Sequence, residues 1–161
     1  MILPIDFDKN ELFVLGALVV VYGLFFRLPK RFPWSLTILI ILFTATTARI
    51  TDNLLSTSMY NLYDVMDSPR YDLFDLLVYL LYGPFGYFLV YYFDKWQLKK
   101  MSTVIYVFIV AVFSSLFERF SVSFHVFKYK GWQLSYSFSY YLVAIPLTLV
   151  FFYLLRVKLK K

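Results

Sequence analysis

Residues 101–126 read MSTVIYVFIVAVFSSLFERFSVSFHV, and this stretch decides the fold. Its first seventeen residues, 101–117, carry no charge and are dominated by Val, Ile and Phe. At ~1.5 Å of rise per residue such a helix falls just short of a ~30 Å hydrocarbon core. The span must therefore run on past Glu118 and Arg119. Four further uncharged runs lie on either side, at residues 12–26, 34–48, 76–93 and 134–155. Extended to crossing length, they predict spans over residues 12–27, 34–55, 74–94, 101–126 and 133–156. The expected fold is all-α, a single domain made of a bundle of five transmembrane helices.

Composition agrees with that solvent. Hydrophobic residues make up 61% of the 161-residue chain and charged residues 16%, against about half and a quarter in soluble domains. With no cysteine, disulfides and thiolate metal sites are excluded. One histidine makes a catalytic zinc site a poor expectation. No metal and no cofactor is expected. The net charge of +6 sits in groups flanking the spans and not on a folded basic face, which argues against a nucleic-acid partner. The partner that the composition does imply is the lipid bilayer.

The charges also orient the chain. Arg27, Lys30 and Arg31 follow the first span, Lys95, Lys99 and Lys100 the third, and Arg156, Lys158, Lys160 and Lys161 the fifth. These ten basic residues fall on one side and the other six on the opposite side, so the ten-residue side is expected to be cytoplasmic. The N-terminus is then outside and the C-terminus inside, with residues 12–26 retained as a span and not cleaved. Trp34, Trp96 and Trp132 lie at span ends, where indole rings favour the interface. Residues 56–71 read as a solvated outer connector. Gly83-Pro84-Phe85-Gly86 in the third span predicts a kink, as does Pro146 in the fifth.

A polar layer is expected where spans two and four outrun their uncharged cores. Arg49 and Asp52 share a helix face at i,i+3. Ser114, Glu118, Ser121 and His125 are separated by four, three and four residues and form a stripe on an otherwise apolar helix. Such a stripe faces protein or water, because turning it toward lipid is costly. Arg49 lies about 22 Å along its helix from Trp34, and Glu118 about 26 Å from Met101. The two charges thus reach similar depth, which predicts cross-helix pairs Arg49–Glu118 and Asp52–Arg119. Asp75 and Tyr79 from the third span and Ser135 and Ser139 from the fifth complete the layer. It serves either as a lock on helix register or as a ligand pocket.

The second half resembles a family of small multi-spanning membrane proteins of Bacillus and Clostridium relatives. The residues that carry the likeness are Val78-Tyr79 through Tyr82-Gly83-Pro84 in an aromatic third span and Phe117-Glu118 at the end of the fourth. Tyr129-Lys130-Gly131-Trp132 in the next turn and residues 135–141 in the fifth span add to it. Gly83 replaces the tyrosine that the pattern places before the proline. The resemblance implies a polytopic membrane protein of spore-former-like origin and brings no activity with it; the expected location is a bacterial plasma membrane. The leading functional expectation is a structural or partner-binding membrane component, with a membrane-protein partner or homo-oligomer. A small-solute transporter with an outward-facing polar site is the alternative. A membrane-embedded hydrolase or transferase comes third, and an enzyme is not favoured.

Overall fold

The computed structural model describes residues 7–56, 60–66 and 73–159. Its helices are α1 (Lys9–Arg27), α2 (Trp34–Leu55), α3 (Leu73–Lys95), α4 (Met101–Ser123) and α5 (Leu134–Leu159). All five are long and apolar enough to cross a membrane. The chain is a polytopic, all-α membrane protein. Two three-residue strands, β1 (Tyr63–Val65) and β2 (Phe127–Tyr129), pair antiparallel beside the ends of α2 and α4, with Tyr63 opposite Tyr129. They convert part of the expected outer connector into buried structure: Tyr63, Val65 and Met66 are all buried.

Local chemistry sets the helix ends. A capping box opens α1: the Asp8 side chain accepts from the backbone, and Glu11 Oε2 accepts from the Asp8 N–H at 2.9 Å. The fourth helix stops at Ser123 and not at residue 126. His125 takes a left-handed conformation with φ of 62°, its N–H bonds Val122 O at 3.0 Å, and the Val126 N–H reaches back to Ser121 O at 3.2 Å. This is the Schellman closure, with His125 where glycine is usual. Val126 is buried beyond it and leads directly into β2.

The centre of the bundle is α3. More than half of its most apolar stretch is buried, against less than a quarter in each other helix. The outer helices accordingly leave Val19, Phe26, Val104, Phe108 and Val143 uncovered by protein, as a lipid-facing surface requires. Glycine permits the tightest contact. A Cβ at Gly83 would stand 2.6 Å from Ile41 Cγ2, and one at Gly86 2.3 Å from Thr44 Cγ2, so only glycine lets α2 approach this closely. Helix α3 passes through the intervening Pro84 without a break. Proline has no N–H to offer the carbonyl four residues back, and the Tyr22 hydroxyl of α1 donates to that Leu80 carbonyl at 3.1 Å.

At the basic end one carboxylate ties three segments together. Asp94, near the end of α3, is the single acidic residue among the ten basic ones, and it is 6% exposed. Arg31, in the α1–α2 connection, bonds its Oδ2 through Nε at 2.6 Å and its backbone carbonyl through Nη2 at 3.0 Å. Arg156 of α5 bonds Oδ1. Breaking a fully buried pair costs ~3–5 kcal/mol, but both guanidinium groups here are about a third or more exposed and solvent screens them. Asp94→Ala is therefore expected to destabilise the protein by about 1–3 kcal/mol, read as a lower thermal midpoint in detergent, with Lys99→Ala as an unaffected control.

Candidate functional site

A cavity of about 1020 Å³ runs through the bundle, lined by all five helices and by both strands. That volume lies at the upper end of the ~300–1,000 Å³ usual for small-molecule sites. Along α4 its wall extends from Tyr106 to Ser121, about 22 Å at ~1.5 Å per residue, more than one leaflet of a ~30 Å hydrocarbon core. Leu, Val, Ile and Phe, together with the rings of Tyr and Trp, make up most of the wall, and the two ends differ. Toward the basic end five lining residues are themselves uncovered: Leu24 (54%), Trp96 (57%), Ile109 (59%), Phe113 (60%) and the charged Arg27. The cavity opens there, between α1 and α4, onto the face that hydrocarbon covers. At the strand end Phe13 of α1 stacks on Phe124 at 4.7 Å and meets Phe117 and Phe120, which closes the gap between the same two helices.

The closed end is polar and held together by tyrosines. Glu118 of α4 accepts at Oε1 from the Tyr129 hydroxyl of β2 and from Ser137 Oγ of α5 at 2.5 Å. Its Oε2 accepts from the Tyr141 hydroxyl at 2.8 Å. Trp132 Nε1 donates to Ser137 Oγ at 2.7 Å, which orients that hydroxyl toward the carboxylate. Across the cavity Asp52 of α2 accepts at Oδ1 from the Tyr63 hydroxyl of β1 at 2.5 Å. Its Oδ2 is buried and has no hydrogen-bond partner among the described residues. Tyr82 of α3 lines the cavity within electrostatic range of both carboxylates. Burial pushes the Tyr63 hydroxyl far above the ordinary tyrosine range, and the neighbouring Asp52 adds to that. Burial raises Tyr129 as well, reinforced by its bond to Glu118. Both strand tyrosines are thus fixed as donors, and the strand pairing of Tyr63 with Tyr129 delivers one to each carboxylate.

Of the residues expected in the polar layer, Asp52, Ser114, Glu118 and Ser121 line the cavity. Arg49 stands beside it, its guanidinium 5.0 Å from the centre of the Tyr79 ring. Asp75 is buried one turn before Tyr79 on α3. Arg119, His125, Ser135 and Ser139 are exposed and outside the lining. The hydrogen bonds of Glu118 go to hydroxyl groups and not to Arg49, and Asp52 is met by Tyr63 and not by Arg119. Hydroxyls win because they satisfy a carboxylate without bringing a second charge out of water. His125 is placed by the turn that ends the helix.

Sequence reasoning missed Tyr63, Tyr82, Tyr129, Ser137 and Tyr141. On α5 it chose the wrong face: Ser139 Oγ bonds the Ser135 carbonyl at 3.0 Å on the exposed side. The signal for the other face was present. Ser137, Tyr141, Ala144 and Thr148 repeat the four-three-four spacing of the α4 stripe, and all four line the cavity.

A glutamine at position 118 would offer one acceptor oxygen and a competing NH2 donor to three fixed hydroxyls. Glu118→Gln is expected to cost about 1–3 kcal/mol, and Tyr141→Phe, which removes one donor and leaves the acceptor in place, about 1 kcal/mol. Thermal unfolding of the two variants in one detergent checks the order.

Among the described residues no three His, Asp or Glu side chains gather as a metal site. No family model, no curated protein and no solved structure matches the chain.

Proposed function

We propose that this membrane protein binds a hydrocarbon-tailed amphiphile, admitted sideways from the bilayer and held with its polar end at the Asp52–Glu118 face. One observation carries the reading. The cavity joins an opening on the lipid-facing side of α1 and α4 to a closed polar end. A small polar solute gains nothing from the long apolar wall, whereas an acyl, alkyl or isoprenoid chain fills it. The polar layer expected from sequence thereby acquires a ligand, in place of the purely structural or partner-binding role. A bacterial plasma-membrane location, the likeness to the Bacillus and Clostridium family and a cytoplasmic basic end belong to the same proposal. Charge distribution and motif residues support them.

Tryptophan fluorescence tests the cavity. Trp132 lies at the closed end and Trp96 at the opening, while Trp34 is outside the lining. In a Trp34→Phe, Trp96→Phe background, a brominated alkane added to nanodiscs holding the full chain is expected to quench Trp132. Ser114→Phe and Ala144→Phe, which fill the passage, are expected to abolish that quenching with little change in thermal midpoint. Quenching that is equal in the filled variants would place the bromine in bulk lipid and overturn the proposal.

Orientation has its own test. Cysteines replacing the exposed residues Tyr60 and Lys99 are expected to react with an impermeant maleimide from opposite sides, Tyr60→Cys from outside. Labelling from one side alone for both would overturn the arrangement.

A further inference from the structure

The two carboxylates at the closed end are not equivalent. Both oxygens of Glu118 are occupied by Tyr129, Ser137 and Tyr141, so Glu118 is a built wall. Asp52 is only half satisfied. It is 6% exposed and lines the cavity, its Oδ1 takes the Tyr63 hydroxyl, and its Oδ2 makes no hydrogen bond of normal geometry among the described residues, although Tyr79 and Arg49 stand close by. A buried acceptor in a low-dielectric site calls for a donor. From these positions we infer that the ligand's headgroup is a hydrogen-bond donor, a primary hydroxyl or primary ammonium group, seated on Asp52 Oδ2. The inference rests on the amphiphile reading and narrows it.

Charge decides against the other common headgroups. A carboxylate or phosphate would set a further negative charge beside Asp52 and Glu118, where little water screens it. A trimethylammonium carries the favourable charge but has no N–H to give, so it leaves Oδ2 unmet. Tyr82 lines the same cavity within electrostatic range of both carboxylates, and its hydroxyl can both accept and donate. The tail then runs past Leu81, Phe85, Val110, Phe113 and Ala144 toward the opening.

The test compares headgroups on one chain length. Hexadecanol, hexadecylamine, hexadecanoate, hexadecyl phosphate and hexadecyltrimethylammonium compete against a brominated alkane that quenches Trp132, with the full-length protein in phosphatidylcholine nanodiscs. The alcohol and the primary amine are expected to displace the alkane at concentrations about tenfold or more below the other three, a gap of about 1.4 kcal/mol. Asp52→Asn keeps an acceptor for Tyr63 and turns an NH2 group toward the site, so it is expected to narrow or reverse that preference in favour of hexadecanoate. Equal potency of all five heads overturns the headgroup assignment and leaves the cavity reading standing. Equal potency of the primary amine and the trimethylammonium head overturns it too, because charge alone would then explain binding. Quenching by the alkane that the filled variants do not relieve removes both readings together. Should Asp52→Asn fail to accumulate, the ranking on the wild-type chain decides by itself.

Discussion

A carboxylate placed among apolar helices has to be given donors, and the way Glu118 receives them organises the strand end of this protein. Its three hydroxyl partners come from β2 and α5. The turn that ends α4 must therefore return the chain beside the same helix, and the left-handed His125 does that within two residues. Once β2 is fixed, β1 pairs with it and brings Tyr63 to Asp52. The ribbon thus acts as a bracket whose two tyrosines hold carboxylates on helices far apart in sequence. In water such bonds are worth ~1 kcal/mol each. Without water to substitute, losing one leaves a buried group unsatisfied.

How much of this was readable in advance follows from the same physics. The five spans were legible because hydrocarbon punishes every exposed charge, so the uncharged runs mark where each helix lies, although α2 and α4 continue past theirs to Leu55 and Ser123. Glu118 was legible for a related reason: a charge that the span cannot avoid has to turn inward. The identity of its partners was not. Opposite charge is the pairing that a sequence displays most openly, yet the carboxylates here are met by tyrosine hydroxyls from segments that sequence reads as connector or as aromatic packing. Fifteen tyrosines and nineteen phenylalanines hide a few hydrogen-bonding positions among many anchors. Choosing Ser135 and Ser139 over Ser137 shows the same limit, since the face of α5 is set by its neighbour and several polar residues competed for it.

The two ends of the bundle solve their electrostatics differently. At the basic end Asp94 is shared by two arginines that keep contact with solvent, which suits an interface where water and headgroups help. At the strand end carboxylates are met by neutral donors behind a wall of aromatic rings. Between them lies an apolar passage that neither set of interactions fills. The bundle is tight where α2 meets α3, because glycine admits the close approach, and open toward the basic end between α1 and α4, beyond the phenylalanine rings that close the same gap at the strand end.

The central position of α3 carries a consequence for how the first two helices are held together. Both α1 and α2 pack chiefly on α3, which lies after them in the chain. The Tyr22 hydroxyl has its carbonyl partner on α3, and the surface of α2 that Gly83 and Gly86 admit has no counterpart on α1. In the folded bundle the first two helices are thus joined chiefly through the third and little by contacts of their own. An α1–α2 pair cut off from the third helix would therefore lack most of its packing, and the proline in the middle of α3 frees the carbonyl that the first helix recognises.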